Sequence, residues 1–204
     1  VTNDPAIEFQ RLYNYATLLD NHPVRISIPV VPGFSKAAKL AVSLNYAVKL
    51  EMKQPDAELL HEVQGVLDLY LHKTNVRQPI EFFHSLLLSF YREETVSMWQ
   101  IVEEDPDIVR YINDQGEETI SKRFDGLDIP QVLDAFVTRF ANYQVAEKRE
   151  CLNCEFFGRC SGYFKWPDAE YSCDGIKQIF RTIRIAADEM KHDLANFEAM
   201  GAKA

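Results

Sequence analysis

Cysteine is absent from the first 150 residues of this 204-residue chain, and all four cysteines fall within residues 151–173. That distribution excludes thiols scattered through a core and points to a site. A basic surplus is absent as well. The 22 Lys and Arg are outnumbered by 31 Asp and Glu, giving a formal net charge of −9 at neutral pH. Nucleic acid is thereby excluded as the main partner, because phosphate binding needs a basic face. No apolar run approaches the roughly eighteen residues of a membrane-spanning helix, and no signal peptide is expected at Val1. The expectation is a cytoplasmic protein with reduced thiols and no membrane partner. The histidines, His22, His61, His72, His84 and His192, are dispersed, with no His-x-x-x-His or His-Glu-x-x-His pair. The helix-borne zinc site is excluded with them, and they are expected to be surface or packing residues. No Ser-His-Asp arrangement, nucleophile elbow, internal repeat or low-complexity segment is present.

The sequence does have a core and a cysteine cluster. Hydrophobic residues make up 47% and aromatics 12% of the chain, ample for one large domain or two small ones. The cluster reads Cys151-Leu-Asn-Cys154-Glu-Phe-Phe-Gly-Arg-Cys160-Ser-Gly-Tyr, closed by Cys173, a spacing of x2, x5 and x12. A tight turn lets the Cys-x2-Cys pair present two thiolates to one metal centre. Gly158 and Gly162 supply backbone freedom for wrapping a small object. Two disulfides would also use four cysteines, but a chain of this size needs no such staples. Four thiolates suit Zn²⁺ or an iron–sulfur cluster. Zinc ribbons usually repeat the Cys-x2-Cys pair, whereas here the second half opens to Cys160-x12-Cys173. Spacing alone leaves both metals open.

Upstream, periodicity predicts alternating elements. Residues 6–19 read as a helix with Ile7, Leu12, Tyr15, Ala16 and Leu19 near helical spacing. Residues 24–31 alternate as a strand. Pro32-Gly33 breaks it, and Ser35 is the expected N-cap of a helix from Lys36 to about Tyr46. Residues 48–52 form a short strand, and Pro55-Asp56 opens an amphipathic helix from Ala57 to about His72. Strand, helix, strand, helix implies a parallel sheet. The aromatic-rich residues 76–105 read as a buried helix and linker. Residues 108–112 and 119–124 are expected to form a β-hairpin whose loop contains Gly116. Ile129-Pro130 opens a helix to about Tyr143, and a long helix covers about 176–197. Glu93-Glu94 and Glu103-Glu104-Asp105 read as solvated acidic runs, and Arg25 and Glu51 as solvated or edge charges.

The cysteine stretch resembles the auxiliary-cluster region of radical SAM proteins of the SPASM/twitch type, which carries Cys-x2-Cys-x5-Cys, often followed by Gly and an aromatic residue. In that comparison Cys151, Cys154, Cys160 and Cys173 match the four ligands of the family's outer auxiliary 4Fe–4S cluster. The family's cysteine four residues after the third is Phe164 here, and the upstream cysteines of its second cluster are missing. The resemblance therefore implies one cluster, not two. It also implies a fold: an α/β chain made of a partial (βα) barrel half with parallel strands over 1–105, including a linker helix. A small α+β cluster-binding domain, a β-hairpin plus helices, would follow over 106–204. Asn3 and Asp4 would then lie on the SAM side of the cavity, with Arg25 and Glu51 on strands facing it. The family's catalytic Cys-x3-Cys-x2-Cys is absent, so the chain would not cleave SAM alone. SAM enters only if a missing N-terminal barrel half is supplied, as a separate chain or as part of a longer one. The expected substrate is a peptide or protein. The alternatives are a non-catalytic module with a structural zinc, binding a peptide or protein, and one subunit of a split enzyme.

Overall fold

The computed structural model describes residues 4–74, 76–124 and 134–201. The chain forms two compact units, residues 1–94 with 172–204, and residues 95–171. The sequence division at 105/106 differs from this in two ways. The first junction lies at 94/95, and the terminal helix belongs with the N-terminal unit.

In the first unit, Asp4 caps a single helical turn, α1 (Pro5–Glu8), by accepting hydrogen bonds from the amides of Ala6 and Ile7. The chain continues as a 3₁₀ helix, Phe9–Asp20. The expected helix is present, but its tighter winding moves side chains off the 3.6-residue period. Leu12 is buried, whereas Ile7 and Tyr15 are exposed, contrary to the expected apolar side. Strand β1 (Arg25–Pro29) leads through Gly33 into α2 (Phe34–Ser43), then β2 (Ala47–Glu51), α3 (Ala57–His72), β3 (Ile80–Glu81) and α4 (Phe83–Tyr91). The three strands are parallel in the order β1-β2-β3. The buried helix expected within residues 76–105 is present as α4, and the short strand β3 before it is an addition to that reading. The expected capping residue is corrected, since Gly33, not Ser35, sits at the N-cap of α2, with φ +86°. Asp56 caps α3 through a 2.9 Å bond from the Leu59 amide, as its position before the amphipathic run predicts.

Register gives the sheet two unlike faces, because side chains alternate along a strand. Ile28, Val48, Leu50 and Ile80 share one face and are buried. Arg25, Ser27, Lys49, Glu51 and Glu81 share the other. There Ser27 donates to Glu51, so Glu51 is half-buried and hydrogen-bonded rather than a purely solvated charge, while Arg25 is exposed. A parallel sheet is ordinarily apolar on both faces, so the polar face is distinctive. The long helix α8 was expected at about 176–197; with α5, α6 and α7 assigned to the second unit below, it spans Asp174–Gly201 and packs on α4 and α3. It buries Ile176, Ile179, Phe180, Ile183 and Ala187, one face at helical spacing. No helix among the described residues is long and apolar enough to cross a membrane.

The second unit contains α5 (Met98–Ile101), a hairpin of β4 (Tyr111–Ile112) and β5 (Glu118–Thr119), α6 (Phe136–Ala146) and α7 (Phe157–Cys160). The hairpin turn is closed by Asn113, whose Oδ1 accepts from the Gln115 and Glu117 amides at 2.9 Å. The second hairpin segment is shorter than expected, because Lys122–Phe124 winds into a 3₁₀ turn. The expected helix start at Ile129-Pro130, with Val132 and Leu133, lies outside the described residues.

Gly33 provides a test of this packing. A Cβ placed there would lie 2.6 Å from the Ala6 Cβ and 3.1 Å from the Ala6 Cα, in a left-handed backbone conformation. Gly33→Ala is therefore expected to destabilise the chain by about 2–4 kcal/mol, combining backbone strain with overpacking. Adding Ala6→Gly should recover part of that loss. Denaturant melts followed by circular dichroism read both values.

Candidate metal-binding site

The cysteines of the second unit are positioned by short turns. Arg149 leads into a 3₁₀ helix, Glu150–Asn153, which carries Cys151 and packs against α6. The Cys154 amide donates to the Cys151 carbonyl at 3.3 Å, closing the turn that the x2 spacing requires. Cys160 ends α7, its amide bonded to the Phe156 carbonyl at 2.8 Å. Two consecutive left-handed residues follow, Ser161 at φ +48° and Gly162 at φ +75°. They reverse the chain, so that the amides of Phe164 and Tyr163 donate to the Cys160 sulfur. Glycine is required at 162 on two counts. Its φ is positive, and a Cβ there would meet the Phe140 ring at 3.3 Å.

Cys151 and Cys154 lie close enough to Cys160 to act on it electrostatically. Desolvation, above all, pushes the Cys160 thiol up to about 12, and its two cysteine neighbours add to the shift against the two amide donors. The metal-free site therefore holds Cys160 as a neutral thiol. None of the four cysteines forms a disulfide. Cys173 is buried in the first unit, one residue before α8, and its carbonyl accepts from the Lys177 amide. Among the described residues no group of three or more His, Cys, Asp or Glu side chains is arranged to hold a metal ion. The donor chemistry nevertheless suits a soft metal centre: three electrostatically coupled sulfurs on one short segment, one of them receiving two backbone N–H groups.

The segment after Cys160 is anchored by a residue that sequence reasoning passed over. Arg123 is buried, and its guanidinium donates to the Tyr163 carbonyl (2.9 Å), the Trp166 carbonyl (2.8 Å) and the Tyr163 hydroxyl (2.9 Å). It lies 4.0 Å from the centre of the Tyr163 ring. The Tyr163 hydroxyl donates onward to Glu104 at 2.8 Å, and Glu104 stands 3.5 Å from Arg123. The reading of Glu103-Glu104-Asp105 as a solvated run is thus corrected. Glu104 balances a buried cation, and Asp105 is buried and accepts from the Asp107 amide. Desolvation holds the Tyr163 phenol well above its ordinary value, despite the opposing pull of Arg123. Around this network pack Trp99, Phe124, Phe136, Phe140 and Trp166, with Trp99 edge-on to Tyr163 at 4.9 Å and stacked on Phe124 at 5.9 Å. Lys165, also buried, pairs with Glu150 and donates to the Tyr171 carbonyl, tying the start of the cysteine segment to its end.

Of the other sequence candidates, Asp4 serves as the cap of α1, and Asn3 lies outside the described residues. The histidines form no cluster, and His84 shares a 2.8 Å hydrogen bond with the Tyr70 hydroxyl. Comparison with protein-family models, with curated proteins and with solved structures gives no match.

Arg123→Met is expected to destabilise the second unit by about 3–5 kcal/mol, because it strands two buried carbonyls and leaves Glu104 without its cation. Arg123→Lys should cost less but remain harmful, since an ammonium cannot span all three acceptors in one plane. Both tryptophans, Trp99 and Trp166, lie in this unit. Intrinsic fluorescence during guanidinium unfolding therefore reads the effect directly.

Proposed function

We propose that this chain is the iron–sulfur-binding C-terminal portion of a radical SAM/SPASM-type maturase acting on a peptide or protein substrate. Cys151, Cys154, Cys160 and Cys173 would hold one auxiliary 4Fe–4S cluster. The observation that carries this reading is the Cys160 turn, where two backbone amides converge on a sulfur that interacts with Cys151 and Cys154. Amide donors favour the thiolate that a metal-bound cysteine must become. Cys173 enters on the x12 spacing. The βαβαβ run of the first unit supports its reading as half of a (βα) barrel, and the polar face of Arg25, Lys49, Glu51 and Glu81 suits a cavity wall better than a helix-covered surface. Asn3 and Asp4 remain on the SAM side of that proposal, with SAM bound only when the missing barrel half is present.

When bound, the cluster supplies one-electron transfer. The chain's own contribution would be to hold it with four thiolates and to offset sulfur charge with the Tyr163 and Phe164 amides. Four thiolates leave no iron open to substrate, which favours electron transfer over direct substrate coordination. Metal binding would draw the ligand loops together as the thiols lose their protons, since ligand binding and loop folding are coupled.

Anaerobic reconstitution with iron and sulfide is expected to yield a brown protein holding about four iron and four sulfide per chain. Its visible absorption should bleach on reduction. Alanine at any one of Cys151, Cys154, Cys160 or Cys173 should lower the metal content and the stability of the cysteine-bearing region. A colourless protein with one tightly bound zinc would overturn the cluster in favour of a zinc-binding interaction module. A full, stable cluster in Cys173→Ala would assign the fourth ligand elsewhere.

A second expectation concerns catalysis. Given SAM and a strong reductant, the reconstituted 204-residue chain should form no 5′-deoxyadenosine, and adding a half-barrel bearing Cys-x3-Cys-x2-Cys should restore the reaction. Product from the isolated chain would show that one thiolate is labile and the cluster is not purely auxiliary.

A further inference from the structure

The one fully buried carboxamide of the second unit's described core has no evident reason to be polar. Gln144 lies on α6 with 0% of its surface exposed. Neither its Nε2 nor its Oε1 has a hydrogen-bond partner among the described residues. Buried polar side chains are paired in the large majority of cases, and an unpaired one is costly. Its position on the helix sharpens the anomaly. Phe136, Phe140 and Gln144 recur every four residues, so they share one face. The first two are stacked, ring centres 5.6 Å apart, and both pack against Trp99 and Trp166. At the third position, where the apolar stripe would continue with another hydrophobic side chain, the sequence places an amide.

That third position is where the cysteine segments meet α6. On one side the Arg149 amide donates to the Gln144 carbonyl at 3.4 Å, leading directly into the 3₁₀ helix that carries Cys151 and packs on α6. On the other side Gly162 lies against the stem of Gln144, such that a Cβ on Gly162 would be 3.5 Å from the Gln144 Cγ. Gly162 is two residues past Cys160 and immediately before the amides that bond the Cys160 sulfur. Gln144 is thus held between the Cys151 segment and the Cys160 turn, with its amide unused.

We propose that the Gln144 carboxamide is a positioning and tuning group for the cluster, donating an N–H hydrogen bond to a cluster sulfur, either a cysteine thiolate or a bridging sulfide. This rests on the reading that these cysteines hold an iron–sulfur cluster. No cysteine sulfur accepts from the amide in the metal-free chain, whereas a cluster adds bridging sulfides and turns the thiols into thiolates, so the amide is left orphaned without it and paired with it. Reduction adds negative charge to the sulfurs, and a donor aimed at them stabilises the reduced state more than the oxidised one. Hydrogen bonds to sulfur are a principal means by which a protein sets the potential of such a cluster.

The test uses Gln144→Met, which keeps the length without the donor, and Gln144→Leu. Both are prepared metal-free and after reconstitution with iron and sulfide. The metal-free variants are expected to be at least as stable as the parent, since an unpaired amide is exchanged for an apolar side chain. The loaded variants are expected to show a more negative reduction potential in a spectroelectrochemical titration, with an altered electron paramagnetic resonance spectrum of the reduced cluster. An unchanged potential in both loaded variants would overturn the proposal while leaving the cluster assignment intact. Failure of the parent chain to load any cluster would overturn both. Should neither variant retain a cluster, Gln144→Asn, which keeps the donor on a shorter arm, is expected to retain it, and equal loss there would overturn the tuning role.

Discussion

In the cysteine-bearing unit, the buried guanidinium of Arg123 is the interaction on which the rest depends. Two backbone carbonyls, Tyr163 and Trp166, and one hydroxyl converge on it from a segment forty residues downstream. A cation withdrawn from water requires a counter-charge and hydrogen-bond partners; Nη1 and Nη2 have them, while Nε has none among the described residues. Glu104 supplies the charge, directly at 3.5 Å and through the Tyr163 hydroxyl. The aromatic rings around it exclude water, which strengthens each of these bonds and makes the loss of any one expensive. The consequence reaches the thiols. Fixing Tyr163 fixes the reversal at Ser161 and Gly162, and that reversal aims two amides at the Cys160 sulfur.

The same arrangement explains why the cysteines sit where they do. The x2 spacing is one turn, closed by the Cys154 amide on the Cys151 carbonyl. The x5 interval holds the first three residues of α7, which ends on Cys160 before the left-handed pair turns the chain back. Desolvation holds the Cys160 thiol in its neutral form. A cation or cluster would reverse that preference by taking the proton's place. The proposed function would use the four cysteines as the ligands of an electron-transfer centre and the polar-faced parallel sheet as part of a cavity wall, without the cluster that would cleave SAM.

Much of the first unit was legible from residue order. The Asp56 cap and the apolar positions of α3 marked that helix to its ends, because capping and burial act within a few residues of one another. Strand β3 was not legible. Ile80–Glu81 is two residues long, too short to show alternation, and it exists only because β2 offers an edge to pair with. The 3₁₀ winding of Phe9–Asp20 was hidden for a related reason. Its apolar residues fit a 3.6-residue period tolerably, but little of that face is buried, so packing does not enforce the α form.

By itself, the sequence determined the alternation of strands and helices, the confinement of every thiol to one stretch, and the turn residues of that stretch. Each is a local property, decided by residue types a few positions apart. Only the tertiary structure decided that Glu104 balances a buried cation rather than facing water, that Arg123 is the anchor of the segment after Cys160, and that Gln144 is an orphaned amide beside the cysteine turns. Charge and polarity along a sequence do not specify solvation. A Glu reads the same whether it is exposed or paired, and the difference is made by groups brought beside it from 19 and 59 residues away, Arg123 and Tyr163.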